Sequence, residues 1–488
     1  MKKINKFLCL GLMAVALPCT TMLAGCATNP VVVQKIEYTE SIGLEDVYTI
    51  TYTDGTTSTF KVKNGSDGAE GQKGKDGKDA TVLDAFEEYK KAHPTATYEE
   101  FLYQYLSFDN SETTKVINRC LLSSVKVYTE FKVTKVTNAW TQATEDTVSR
   151  GGGSAVIYKI DNDYTYIITN YHVVYNKDAN EDNGGKIANR IVGYLYGSEG
   201  ANGLKTDNEG HTVLEDGYPV YEYGDLGIEM EFVAGSAEKD IAIVRTPTSA
   251  ITAINPQISA IKFADSYAVG ESAIAIGNPD GMGLSVTQGV VSVDSEQIAL
   301  NIDTTRYYRS VRIDTAIYNG SSGGGLFNAK GELIGITNAG DGTDQNVNYA
   351  VPLSIVKNTV ENLMYYYNDN DAETVGAYKI YLGVTVDLSQ SRYVYNEGDG
   401  TGNIVETIIV DEIEENSISH QMNLNPDDQI LALYIGEDEY TLNRSFEMGD
   451  LLLNVRVGDE IKFKLKREGN TIYSTSYTIT ADDLVALA

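Results

Sequence analysis

From about Thr113 onward the chain is written in short apolar runs broken by glycine and polar turns. SAVIYKI (154–160), YTYIITNYHVV (164–174), DIAIVRT (240–246), SAIAIG (272–277), GVVSV (289–293) and ELIGITN (332–338) are examples. Runs this short, punctuated so often by turns, indicate the strands of an all-β sandwich or barrel. The expected fold is therefore mainly β, a sandwich or barrel over residues 111–364. One acidic, glycine-rich interruption, Tyr175 to about Met230, reads as a surface insertion. YYYNDNDAE (365–373) reads as a linker. Beyond it IYLGVTV, IVETIIV, QILALYI and EIKFKLKR predict further strands, with SFEMGDLLLNV as a helix, which makes 376–485 a separate α+β module.

The first residues look like an address. Lys2, Lys3 and Lys6 precede an apolar run, Phe7–Leu17, too short to span a bilayer, and the run leads to Leu23-Ala24-Gly25-Cys26. That quartet is similar to a bacterial lipobox. The resemblance implies a signal peptide over 1–25, lipidation of Cys26 and an extracytoplasmic protein anchored to the membrane. Cys9 and Cys19 would leave with the signal, so Cys120 is the one thiol remaining and an internal disulfide is excluded. In INRCLLSSVKV, Cys120 is expected to be a packing residue. Over 26–80, a β-hairpin turning at Asp54-Gly55 is followed by glycine at 65, 68, 71, 74 and 77. The spacing is that of collagen, but without proline a flexible spacer is expected rather than a trimeric stalk. VLDAFEEYKKA, ending near Pro94, and the capping pattern Thr97 to Glu100 predict short helices within 81–110. A net charge of -31 makes nucleic acid and anionic membrane surfaces poor partners.

The densest chemical signal is DTAIYNGSSGGGLF (314–327), which sets Ser321 and Ser322 on a glycine-rich loop just before a strand. A serine hydroxyl is a weak nucleophile without a base. The chain has four histidines. His93 falls in the N-terminal region, His211 in the acidic insertion and His420 in the C-terminal module, whereas His172 follows a strand of the β domain. His172 is thus the candidate base. Asp240, immediately before DIAIVRT's apolar residues, is the candidate carboxylate to orient it, with Glu238 outside the strand.

Taken together these residues resemble the HtrA/Deg family of trypsin-like serine proteases. TNYHVV is similar to that family's TNxHVV, EKDIAIV to TDLAVL, and IAIGNPDGMGLSVTQGVVS to AIGNPFGLGQTVTSGIVS. AIYNGSSGGGLFN is similar to AINPGNSGGPLLN and VNYAVPLSIV to GFAIPSNMV. The resemblance implies a chymotrypsin-like double β-barrel and a catalytic triad of His172, Asp240 and Ser322. It further implies an oxyanion hole from the amides of Gly320 and Ser322, with that of Ser321 on the same loop, and a specificity pocket at Ala316, Thr337, Asn338 and Ala339. No acid at Ala316 points to a small or medium apolar P1 residue. Unfolded or misfolded proteins and peptides are the implied substrates, no cofactor or metal is implied, and homotrimers are common in the family. The chain departs from the pattern at Gly153-Ser154-Ala155, at Gly325 in place of proline, and at Asp280 in place of an aromatic residue. The C-terminal module resembles a PDZ domain, whose peptide-carboxylate loop would be Tyr381, Leu382, Gly383 and Val384, although Asn423 and Asp427 stand where the family has glycines. Two alternatives stand beside these readings: a small β domain that merely packs on the protease, and a non-proteolytic chaperone or scaffold, which would have no need of an intact triad.

Overall fold

The structure is a computed structural model of the chain. It describes residues 33–42, 45–63, 90–91, 94, 111–138, 140–180, 186–198, 203–340, 346–367, 376–397 and 401–487. The signal segment with Cys26, the Gly-x-y repeat, His93 and the helices expected over 81–110 lie outside the described residues, apart from Lys90, Lys91 and Pro94. The chain divides into two units, Met1–Glu112 and Thr113–Ala488.

In the first unit the hairpin gains a third strand. β1 (Val33–Ile42), β2 (Glu45–Tyr52) and β3 (Thr57–Lys63) form an antiparallel sheet in chain order. Alternation places Tyr38, Tyr48 and Phe60 opposite one another across the strands, and the Tyr48 ring lies 5.8 Å from Tyr38 and 5.3 Å from Phe60.

The second unit is mainly β and holds two closed barrels. The first is built from β4 (Ser124–Asn138), β5 (Ala143–Ile160), β6 (Tyr164–Thr169), β7 (Arg190–Leu195), β8 (Ile228–Ser236) and β9 (Ile241–Pro247), in the order β8-β9-β6-β5-β4-β7. The second uses β10 (Ser272–Gly277), β11 (Ser285–Asn301), β12 (Thr305–Ile313), β13 (Gly325–Phe327), β14 (Leu333–Gly340) and β15 (Asn348–Pro352), in the order β10-β11-β12-β15-β14-β13. This is the chymotrypsin-like double barrel. The apolar runs are nearly unbroken because both strand faces are buried. On β9, Ala242 and Val244 point into the first barrel while Ile241 and Ile243 point into the seam between barrels. Ile274, Ile276, Phe327 and Ile336 meet them there from the second barrel.

Three expectations need correction. The stretch Tyr175 to Met230 is not wholly a surface insertion: within it RIVGYL forms β7, which closes the first barrel between β4 and β8 with Ile191, Val192, Tyr194 and Leu195 buried. The β texture does not begin at Thr113, since Ser111–Leu121 is helix α1, whose Val116, Cys120 and Leu121 share a face spaced for a helix and pack into the seam. Nor does a linker begin at Tyr365. A helix at Leu353–Tyr366 carries both Tyr365 and Tyr366, and the Tyr366 ring sits 4.7 Å from that of Tyr378.

The C-terminal residues form a separate sheet with its own core of Ile408, Val410, Ile430, Leu433, Phe463 and Leu465. Its helix, Ser445–Leu452, lies where SFEMGDLLLNV predicts one. Asn423 and Asp427 adopt φ of +61° and +70°, the left-handed region that glycine enters freely and that Asn and Asp tolerate best among other residues. Ion pairs join Arg309 of β12 to Asp450 and Arg444 to Asp294 of β11, and Asn358 Nδ2 donates to the Asp450 carbonyl at 2.8 Å.

Candidate active site

Strand register brings His172 and Asp240 together. β6 and β9 are antiparallel, with Thr169 opposite Ala242. Continuing that register past the strand ends carries Asp240 to the level of Tyr171, beside His172. Residues Tyr171–Val174 then form one helical turn, α2, which buries Val173 and Val174 in the first barrel and leaves His172 at the rim. Asp240 is wholly buried and has φ of +52°. Both its carboxylate oxygens lie 3.0 Å from His172 Nδ1, and the His172 amide donates to Oδ1 at 3.1 Å. Asn170 Nδ2 donates to the Asp240 carbonyl at 2.9 Å. With a carboxylate facing Nδ1, that nitrogen carries the proton and Nε2 is left as the acceptor. Burial by itself depresses the imidazole pKa, but the Asp240 charge and hydrogen bond outweigh it and hold it above the ordinary value of 6.5.

Ser322 arrives from the other barrel. Its loop joins β12 to β13 and is pinned to β5 across the seam: the Ser154 amide donates to the Ser322 carbonyl at 2.8 Å, and Thr169 Oγ1 donates to the Ser154 carbonyl at 2.7 Å. Gly153 makes this approach possible. A Cβ there would lie 2.6 Å from Val173 Cγ1 and 3.3 Å from the Ser322 carbonyl oxygen, so the residue next to His172 and Ser322 itself close on the same glycine. Gly323, at φ +86°, is equally constrained, because a Cβ would stand 2.0 Å from the Ser154 carbonyl oxygen. Ser322 Oγ donates to the Asn338 carbonyl at 3.3 Å, and no hydrogen bond joins it to His172 among the described residues.

The backbone beside Ser322 offers two donors. The Asn319 carbonyl accepts from the Asp280 amide at 2.6 Å, and the Gly320 carbonyl accepts from Ser154 Oγ at 2.8 Å. Carbonyl and N–H point oppositely across a trans peptide, so engaging the Asn319 carbonyl turns the Gly320 amide away from Asp280. Among the described residues the amides of Gly320 and Ser322 donate to nothing. The Ser321 amide differs from expectation: it is spent on the Tyr318 carbonyl at 2.9 Å and is not offered with them. Two free N–H groups flanking a hydroxyl can receive a developing oxyanion.

A small cleft adjoins this loop. Ala316 and Thr337 line it as expected, together with Ala275, Thr287, Tyr318 and Ser321, and no charged side chain does. Asn338 and Ala339 lie outside its lining. In the C-terminal module the Tyr381–Val384 loop has Gly383 at φ +67°. The carbonyls of Leu382 and Gly383 accept from the amides of Ser419 and Glu414, both at 2.9 Å, while the amides of Leu382 and Gly383 donate to nothing among the described residues. Tyr381 hydroxyl donates to Glu414 Oε1 at 2.5 Å, setting a carboxylate beside these amides.

Sequence reasoning misses Lys126, which is 2% exposed and donates from Nζ to the Gly281 carbonyl at 3.1 Å. The available signal is a lysine inside the apolar strand run SSVKVYTEF.

Residues 153–336 match the family model of a trypsin-like peptidase domain. The chain is 28% identical over 339 residues to the serine protease Do-like HtrA of Bacillus subtilis (strain 168), covering 67% of this chain and 63% of that protein. It is 27% identical over 390 residues to the serine protease Do-like HtrB of the same organism, covering 74% and 72%. To the periplasmic serine endoprotease DegP of Salmonella typhimurium it is 41% identical over 144 residues, 28% of each chain. It thus spans less than two thirds of the first relative and little over a quarter of DegP. The matched stretch opens at the glycine that spaces the two barrels and closes in the strand behind Ser322, and over it this chain carries a trypsin-like peptidase domain similar to those of HtrA-type serine proteases.

Proposed function

We propose that the protein is a serine endopeptidase acting through His172, Asp240 and Ser322. The observation that carries the reading is the buried Asp240 carboxylate 3.0 Å from His172 Nδ1, which leaves Nε2 free as a base on the seam that Ser322 also reaches. In the reaction Ser322 Oγ leaves the Asn338 carbonyl for the imidazole; catalytic hydrogen bonds often tighten only once substrate is bound. Nε2 takes the hydroxyl proton as Oγ attacks the scissile carbonyl, and the carbonyl oxygen gathers charge against the amides of Gly320 and Ser322. Collapse breaks the C–N bond, the imidazolium returns its proton to the leaving amine, and an acyl-Ser322 ester remains. Water then gives its proton to Nε2 and attacks the ester; collapse breaks the bond from the acyl carbon to Oγ, the imidazolium returns the proton to Ser322 Oγ, and the acid leaves. Asp240 stays ionised and stabilises the imidazolium.

The uncharged lining around Ala316 supports a small or medium apolar P1 residue. Unfolded or misfolded extracytoplasmic proteins are the proposed substrates, with Cys26 lipidated as the membrane anchor and a homotrimer as the assembly. The C-terminal module is proposed to act as a PDZ domain, taking a C-terminal peptide as an added strand on Val384–Asn396, the edge of its sheet, with the free amides of Leu382 and Gly383 at the peptide's end. Casein hydrolysis by the wild-type chain and by Ser322→Ala tests the central reading. The substitution is expected to cost on the order of a millionfold, and a variant that still cleaves casein refutes it.

A further inference from the structure

We infer that Lys126 is a positioning residue for the oxyanion hole, acting through the turn at Asn278–Gly281; the inference rests on the serine-peptidase reading above. A buried ammonium is costly unless something holds it. Lys126 sits on β4 directly opposite Ser154 of β5. Opposed residues of an antiparallel pair project from the same face, so both side chains leave the first barrel toward the second. Each ends on the same small piece of backbone. Lys126 Nζ donates to the Gly281 carbonyl at 3.1 Å. Ser154 Oγ donates to the Gly320 carbonyl and accepts from the Asn278 amide, both at 2.8 Å.

The turn between them controls the donor. Asp280, at φ +51°, gives its amide to the Asn319 carbonyl at 2.6 Å, which sets the direction of the Asn319–Gly320 peptide. The fit is close, since a Cβ on Gly320 would stand 2.3 Å from the Asn278 carbonyl oxygen. Without Lys126 the turn keeps its own bonds, from the Gly281 amide to the Asn278 carbonyl at 3.2 Å and from the Gly283 amide to Asn278 Oδ1 at 2.9 Å, but loses the contact that ties the Gly281 carbonyl to the first barrel and so supports the Asp280–Asn319 bond. Lys126 itself is braced by the Tyr128 ring, 5.1 Å away, and Tyr128 packs 5.9 Å from Tyr223 of the inserted stretch. The insertion therefore buttresses the strand that carries the lysine.

The test uses the full chain as wild type, Lys126→Met and Lys126→Gln. Each is assayed on a peptide p-nitroanilide with alanine at P1 and titrated with the matching peptide aldehyde. The aldehyde's carbonyl carbon bonds to Ser322 Oγ and its oxygen takes the oxyanion position. In Lys126→Met, kcat is expected to fall about 10- to 100-fold with KM within twofold, because a donor is displaced rather than deleted. Aldehyde affinity falls by the same factor. The melting temperature holds or rises, since an apolar chain of similar length replaces a buried charge. Lys126→Gln, which keeps an N–H donor, recovers part of kcat. Wild-type kcat and aldehyde affinity in Lys126→Met overturn the assignment, as do kcat, KM and melting temperature failing together in both variants. A wild-type chain that neither cleaves the anilide nor binds the aldehyde overturns the proteolytic reading, and this assignment with it.

Discussion

Gly153 is the place where a single methyl group distinguishes packing from catalysis. Its backbone is not in the left-handed region, so Gly153→Ala carries no conformational penalty and acts by sterics alone. The new Cβ would meet Val173 Cγ1 at 2.6 Å, Cγ2 at 2.9 Å and the Ser322 carbonyl oxygen at 3.3 Å. Carbon atoms settle at about 3.5–4.0 Å, so something must yield by roughly 1 Å. Val173 is β-branched, helical and buried, and it gives little. The displacement therefore opens the seam between the His172 turn and the Ser322 loop. Overpacking of this kind costs about 1–3 kcal/mol of stability, while misplacing reacting groups by about 1 Å costs on the order of 100-fold in rate. The assay is a double-mutant cycle with Val173→Ala, reading kcat on the anilide and thermal unfolding in the same preparations. Val173→Ala removes both clashing methyls, so the double variant is expected to regain most of the lost kcat although Val173→Ala alone is destabilising. Full activity in Gly153→Ala, or no recovery in the double variant, refutes the claim that this glycine sets the His172–Ser322 approach.

Asp240→Asn is expected to lower kcat by about 10⁴-fold by favouring the wrong imidazole tautomer, read by steady-state kinetics with the fold checked by circular dichroism. Because Asp240 raises the His172 pKa above 6.5, activity should fall as pH drops through a value above 6.5, and that acid limb should move down in Asp240→Asn. Activity that stays flat down to pH 4 contradicts the role of His172. The same raised pKa means that the proton on His172 stabilises the folded chain, fully below the unfolded value and progressively less as pH rises through the folded one. In the C-terminal module, Glu414 beside the free amides of Leu382 and Gly383 should repel a peptide carboxylate. Glu414→Gln in a Ser322→Ala background is expected to tighten binding of a free-acid peptide about 2- to 5-fold and leave its C-terminal amide unchanged by fluorescence anisotropy; equal effects on both peptides refute it.

Much of this protein can be read from its residues in order. The short apolar runs dictate buried strands, because each must hide two faces, as Ala242 and Ile243 do on opposite sides of β9. The motifs around His172, Asp240 and Ser322 single out the candidate triad, because few residue types supply a nucleophile, a base and an orienting carboxylate. Local texture misleads where a core strand is set in acidic, glycine-rich surroundings, as with β7, and where helical spacing spans only three turns, as in α1. The directions of backbone groups belong to the tertiary structure alone. That the Ser321 amide is spent on Tyr318, that the Asn319 carbonyl faces Asp280, and that Lys126 and Ser154 reach from one barrel to hold a turn of the other all depend on residues far apart in the chain. Residue type fixes what a side chain can donate or accept, whereas the aim of a peptide bond follows from its dihedral angles, and those are decided only when the two barrels close on each other.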